Sequence, residues 1–300
     1  MAASVTTTRR PALRPEPVPK RFDPALGLLL PATAFMLLAF FYPFTYGITL
    51  SVRPQDAPWF ANYSIFFSSD HWWPTLFTTF RLAFPATLVN LALAIPLAHR
   101  LRVKSRYQKL ITAVLVVPIT LGAVLIADGM LTYLGPRGWL SQILRVLNWY
   151  DQPLHLTHNY TGVLLSLIVS GFPFVFLLML SYITGIDPVL PRAAATLGAD
   201  PWQQFRHIYL PLLSPGIAMA FCLAFVQAFS VFPSAVLLGA PAGPTRVISI
   251  AAYEAAFEQY NDSLAACAAV IMGFAQLLVV SIVLGLRRLL YRGPVVGGKG

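Results

Sequence analysis

The stretch Arg192-Ala-Ala-Ala-Thr-Leu-Gly198-Ala-Asp200-Pro201-Trp-Gln203-Gln-Phe-Arg-His-Ile208-Tyr-Leu210-Pro211 is polar and lies between long apolar runs. Its residues predict a helix, a sharp turn and a second helix. Ala193, Ala194 and Ala195 favour helix and leave a smooth surface, and Gly198 suits a left-handed stop after Leu197. Asp200 is then placed to cap a second helix, with Pro201 at its first position and Gln203 three residues past the cap. Pro211 is read as the end of that helix. A small-faced helical hairpin between apolar segments is suited to docking on something outside a membrane.

Outward from the hairpin the chain is apolar. Of its 300 residues 57% are hydrophobic and 11% charged, and the mean hydropathy is +0.68, which excludes an ordinary soluble domain. Residues 24–52, 82–98, 110–127, 159–186, 208–245 and 263–286 carry no Asp, Glu, Lys or Arg. A helix needs about 20 mainly apolar residues to cross hydrocarbon, so the chain reads as an all-α polytopic membrane protein with six transmembrane helices. Residues 1–24 read as a mobile cytoplasmic tail, 25–50 as an additional N-terminal helix, 73–288 as the main transmembrane domain and 289–300 as a flexible tail. The first apolar run is too long for a signal-peptide core and reads as retained. Span 4 reads as interrupted by Gly171 and Pro173, and span 5 as running from about Leu213 to Leu238.

The net charge of +10 follows sidedness and not a nucleic-acid surface. With the N-terminus inside, sixteen of the 21 Lys and Arg residues fall on one side, among them Arg9, Arg100, Arg102, Arg192, Arg206, Arg287 and Arg288. Arg53, Arg137, Arg145 and Arg246 fall on the other, and Arg81 lies at a span edge. This positive-inside bias places both termini and the hairpin in the cytoplasm.

The outside segment 51–74 is dense in aromatics, including Trp59, Phe60, Tyr63, Phe66, Phe67, Trp72 and Trp73, and reads as an interfacial anchor. Residues 136–149 carry Leu140, Ile143, Leu144 and Leu147 at helical spacing, as a short interfacial helix would. Asp128 is the one acidic residue well inside a hydrophobic run. Such a group is costly in lipid, so it faces either a translocation path or a hydrated outer partner. Asn90 and Gln227 are candidates for the same path or for ties between helices. Phe225, Phe229 and Phe232 suit core packing or a gate. Glu254, Glu258 and Asp262 form a solvated face or a surface for an outside protein. Cys222 and Cys267 read as small buried hydrophobes, and His155 with His158 as solvated loop residues. The sequence holds no metal-ligand cluster, phosphate-cradling loop or nucleophile constellation, so it reads as non-catalytic.

The opening stretch resembles the signature loop of the membrane subunits of ABC importers: Glu-Ala-Ala, three residues, Gly, nine residues, Ile, any residue, Leu-Pro. Arg192, Ala193 and Ala194 fall on Glu-Ala-Ala; Gly198, Ile208, Leu210 and Pro211 fall on the later positions. The run Phe80-Arg-Leu-Ala-Phe-Pro85-Ala-Thr-Leu-Val-Asn90-Leu-Ala-Leu-Ala-Ile-Pro96-Leu-Ala98 is similar to the second span of such permeases. The resemblance implies a type I ABC importer permease fold, with the loop coupling to an ATP-binding subunit through Arg192, Ala193, Ala194, Gly198, Asp200, Ile208, Leu210 and Pro211. It also implies a second permease subunit, identical or related, two ATP-binding subunits that carry ATP and Mg, and an extracytoplasmic solute-binding protein. No cofactor is expected in this chain. Arg192 departs from the family's Glu, so the acidic residue's contact does not carry over. Among subgroups the chain looks most like polyamine, opine and phosphonate permeases, with iron, thiamine and sugar permeases near. A transporter that works alone is disfavoured by the scarcity of intramembrane charge and of any inverted repeat. An intramembrane enzyme lacks paired polar groups at matched depth.

Overall fold

A computed structural model describes residues 24–54, 58–102, 106–146 and 156–290. Its helices in chain order are α1 (Pro24–Val52), α2 (Ala61–Ser68), α3 (Trp73–Arg100), α4 (Arg106–Leu134), α5 (Trp139–Val146) and α6 (Tyr160–Thr184). There follow α7 (Val189–Thr196), α8 (Pro201–Gln204), α9 (Leu210–Phe229), α10 (Pro233–Leu238), α11 (Ile248–Tyr253) and α12 (Asp262–Leu290). Two π-turns join them, Phe205–Tyr209 ahead of α9 and Glu254–Glu258 after α11. Six helical stretches among the described residues are long and apolar enough to cross a membrane, so the chain is an all-α polytopic membrane protein. Of the predicted tails, residues 1–23 and 291–300 lie outside the described residues, as do Leu147 and His155, while Pro24 opens α1 and α12 runs on to Leu290. The chain divides into two compact units, Met1–Tyr46 and Gly47–Gly300, and everything below concerns the second.

The bundle is organised on α3 and α6. Thr75, Thr79, Leu82, Ala83, Ala86, Thr87, Asn90, Leu91, Ala94 and Ala98 are buried along α3, a stripe at three- and four-residue spacing. In lipid no hydrophobic force draws helices together, so close packing of small residues takes its place. The threonines donate to carbonyls of their own chain, Thr79 to Thr75 O at 2.7 Å and Thr87 to Ala83 O at 2.8 Å. This leaves their methyl groups to the neighbour. Two buried clusters result. One, near the start of α3, holds Phe66, Trp72, Leu82, Phe225 and Phe229. The other, near its end, holds Leu91, Ala98, Phe176, Met179, Tyr209 and Leu213.

Several expectations change. Span 4 is not interrupted: α6 runs unbroken through Gly171 and Pro173. At Gly171 the seam is closest, for a Cβ there would sit 2.6 Å from Asn90 Nδ2. The helix that carries span 5 begins earlier and ends earlier, continuous from Pro201 to Phe229 and breaking at Ser230–Phe232 before α10. Pro211 does not end the second helix of the hairpin; it sits in the first turn of α9. The π-turn just ahead of it shifts the hydrogen-bond ladder by one residue, with Leu210 N donating to Phe205 O. A proline ring would otherwise press on the carbonyl four residues back. The outside aromatics are not all anchors. Phe66 and Trp72 are core residues with rings 5.9 Å apart, and Tyr63 bonds Ser51 at 2.5 Å; Trp59, Phe60, Phe67 and Trp73 are exposed. Cys222 and Cys267 are buried and unpaired.

The seam makes a measurable prediction. Gly171→Ala is expected to destabilise the protein by about 1–3 kcal/mol through overpacking. Adding Asn90→Ala to it is expected to recover part of that loss in thermal unfolding of the purified protein.

Candidate coupling hairpin and membrane cavity

The hairpin is built by two local devices. At the end of α7, Gly198 N donates to Ala195 O and Ala199 N to Ala194 O, both at 3.0 Å, with Gly198 at φ 88°. This paired closure needs a left-handed residue just past the helix, the conformation open to glycine. A Cβ at Gly198 would meet nothing within 4 Å, so backbone conformation alone selects glycine. Next, Asp200 Oδ1 accepts from Gln203 N at 2.7 Å while Gln203 Oε1 accepts from Asp200 N at 3.1 Å, a reciprocal cap. Gln204 Nε2 adds a bond to Ala199 O at 2.9 Å.

The hairpin presents small and apolar groups to solvent. Arg192, Ala193 and Ala195 are exposed, Ala194 is half-buried, and Leu197 and Trp202 stand out at 89% and 67% exposure. Ile208 is half-buried, and Leu210 and Pro211 are exposed. The anchor is a residue the motif does not mark: Tyr209 is 4% exposed and packs edge-on against His99 at 4.8 Å. Phe205, one π-turn earlier, meets the same His99 ring at 4.9 Å. Neither Tyr209 nor Phe205 is singled out by the sequence; their four-residue spacing is the one signal that could have found them. Behind α7 a cavity of about 420 Å³ is lined by Ser181, Tyr182, Gly185, Asp187, Leu190 and Leu212, among others.

The second feature is a cavity of about 190 Å³ where two helix breaks meet. In α4 the helix kinks at Gly122, with φ 77° and ψ 160°; in span 5 it stops at Ser230–Phe232. Gly122, Ser170, Phe174, Gln227, Ser230 and Phe232 all line the cavity, and no charged side chain does. The broken backbone is not left bare: Ser249 Oγ donates to Val231 O, and Gln276 Nε2 donates to Ser230 Oγ at 2.8 Å.

Of the four residues expected on a path, the structure brings Gln227 and Phe232 together here. Asn90 is elsewhere, 2% exposed, with Nδ2 directed at Leu167 O at 3.5 Å and Oδ1 without a partner. Asp128 is exposed on α4 beside buried Ala127. Ile119, Ala123 and Ile126 face the cavity, and two residues past Ile126 is about 200° further round the helix. Phe225 and Phe229 are fully buried and pack with Phe80, centroids 6.1 and 4.8 Å away, as core and not as a gate. Glu254 is half-buried and paired within the chain: Arg246 Nε donates to its Oε2 at 2.9 Å. Glu258 is exposed.

Residues 90–294 match the family described as the binding-protein-dependent transport system inner membrane component. The chain belongs to this family. It is therefore a permease subunit of an ABC importer, a non-catalytic membrane component that couples to an ATPase. Among curated relatives, the spermidine/putrescine permease protein PotB of Haemophilus influenzae is 30% identical over 155 residues, 51% of this chain and 54% of that protein. The match thus spans about half the length of PotB. The molybdenum permease protein ModB of the same organism is 33% identical over 174 residues, 57% of this chain and 74% of that one. The trehalose permease protein SugA of Mycobacterium tuberculosis is 26% identical over 267 residues, 83% of each. In fold the permease superimposes on a chain of a bacterial alginate ABC transporter bound to its periplasmic protein. The TM-score is 0.78 at 23% identity, covering 91% of this chain and 97% of that one. The cargoes in these names differ, so kinship identifies the type of transporter and not its solute.

The kink in α4 can be tested directly. Gly122→Ala forces a side chain into a backbone region that only glycine occupies readily, at about 1–3 kcal/mol. The variant is expected to unfold at lower temperature than the parent in thermal denaturation of the purified protein.

Proposed function

We propose that this permease forms half of the translocation path of an ATP-driven importer for a small organic solute. In this reading the hairpin within 187–211 faces the cytoplasm and receives an ATPase subunit, and both termini lie on that side of the bacterial plasma membrane. A second permease subunit completes the path, two ATP-binding subunits carry ATP and Mg, and an outside solute-binding protein delivers cargo. The observation that carries the reading is the hairpin. Two separate capping devices hold an exposed alanine face, Leu197 and Trp202 in a defined shape, and a surface so fixed is suited to a protein groove. Arg192 gives that face a positive charge, which favours an acidic counterpart on the ATPase.

The preferred cargo is a polyamine or a similar organic cation, with Asp128 on the exposed side of α4 available to a path shared with the second subunit. A sugar is the second reading, favoured by the uncharged hydroxyl, amide and ring lining of the cavity at Ser170, Ser230, Gln227 and Phe232. Phosphonate and iron are less well matched, because an anion would call for cationic donors and a metal for a ligand cluster; thiamine, itself an organic cation, falls under the first reading. Glu258, exposed beyond α11, is proposed as the contact for the binding protein; Glu254 serves it indirectly by holding α11.

Three measurements test this. Gly198→Val is expected to insert normally yet lose at least about tenfold in uptake, since a β-branched residue resists the left-handed turn; normal uptake would remove the coupling role. A cysteine at Leu197 should react with a membrane-impermeant thiol reagent only from the cytoplasmic face, and labelling from outside would invert the topology. Asp128→Asn should raise the half-saturating concentration for a cationic cargo roughly fivefold or more, as loss of an ionic contact does. Unchanged uptake would leave the sugar reading.

A further inference from the structure

Both π-turns in the described residues sit at the ends of α3. At its C-terminal end, His99 lies edge-on to Phe205 and Tyr209, the first and last residues of one π-turn. Arg102 closes the grip, its guanidinium 4.9 Å from the centre of the Tyr209 ring. Arg102 Nη1 donates to His99 Nε2 at 2.9 Å and to His99 O at 2.8 Å. Arginine has no acceptor, so Nε2 must accept and the ring proton sits on Nδ1. At the N-terminal end, Arg246 is 7% exposed and donates through Nη1 to His71 O at 2.6 Å. Its guanidinium lies 5.7 Å from the Trp72 ring centre, and it pairs with Glu254, the first residue of the second π-turn. Ile248 N, at the start of α11, donates to Thr79 Oγ1 on α3 at 3.0 Å.

We propose that α3 is a strut that carries movement of the coupling hairpin to the opposite face of the membrane, with His99, Arg102 and Arg246 as its positioning residues. The inference rests on the hairpin receiving the ATPase. α7 and α8 pack chiefly on each other and on the π-turn, so a push on the hairpin enters the bundle at Phe205–Tyr209. There it meets α9 along the chain and α3 through the aromatic grip. α3 is 28 residues long, about 42 Å of helix at 1.5 Å per residue, runs unbroken through Pro85 and Pro96, and is held along its length by packing on α6. A rod gripped at both ends moves as one body, while the wider π-turns, with their weaker hydrogen bonds, absorb the local change. The outer grip then moves α11 and the exposed residues beyond it, Phe257, Glu258 and Tyr260. Nucleotide state would thereby alter the surface offered to an outside protein, and by linkage that protein would alter ATP turnover.

The test uses the whole transporter, with its ATPase subunits, in lipid nanodiscs and with ATP plus vanadate as the probe. Spin labels at Trp139 and Tyr260, 71% and 86% exposed, report the outer face by double electron–electron resonance. A single label at Leu197 reports docking of the ATPase. Vanadate trapping is expected to shift the outer distance in the parent and in Tyr209→Phe, which keeps the ring. The shift is expected to fall below about half in Tyr209→Leu, in His99→Leu and in the paired Arg246→Met/Glu254→Gln, with Leu197 immobilised alike in all. The paired variant removes the outer grip without leaving a lone buried charge. An undiminished shift in these variants, or no shift in the parent, overturns the strut while docking at Leu197 stands. A Leu197 label indifferent to the ATPase overturns the coupling reading and the strut with it.

Discussion

Hydrocarbon offers no partner to a peptide N–H or C=O, and this constraint governs where the chain is permitted to bend. The helical ladder fails at two places within the bundle, Gly122 in α4 and Ser230–Phe232 between α9 and α10. Both breaks open onto one cavity, and the side chains of Ser249 and Gln276 bind the backbone and side-chain oxygens there. At the second break, Val231 O is thus paired within the bundle and not left to lipid. Elsewhere the proline-bearing helices stay whole, as α6 does through Pro173.

Association of the helices obeys a second rule of the same solvent. Because lipid is as apolar as leucine, association rests on close packing: Ala83, Ala86 and Ala94 on α3 and Gly171 on α6 leave little bulk at the seam, and Leu91, Phe176 and Met179 fill the buried cluster beside them. The buried charge of Arg246 is met by partners. Arg246 is buried, but Glu254, the His71 carbonyl and the Trp72 face surround it. Removing one partner would leave an uncompensated charge, so the worth of the pair lies in orientation more than in net stability. The pair ties the loop before α3 to the helix after the long outside loop, 175 residues on in the chain.

The hairpin was legible because its devices are local. Gly198 and the Asp200–Gln203 cap act over three to five residues, and their geometry follows from residue type and spacing. The spans were legible for a related reason: length and absence of charge are properties of a window of sequence. The site residues that depended on direction were less so. Asp128 drew attention by being acidic in an apolar run, yet it lies on the face of α4 away from the cavity, while unremarkable Ser170 and Phe174 line it. Glu254 and Glu258 look equivalent in sequence; one is bound to Arg246 and the other is exposed.

What the sequence determined by itself was composition-scale and local: six apolar spans and a twice-capped hairpin with the spacing of an importer's coupling loop. Tertiary structure alone decided that Pro211 continues a helix, that Tyr209 and Phe205 grip α3, and that two distant helix breaks share one cavity. The reason is physical. Capping and hydropathy are summed over neighbours in the chain, whereas a side chain's partner across the bundle depends on helix rotation and kinks. An apolar residue facing lipid and one facing a neighbouring helix are written with the same letters.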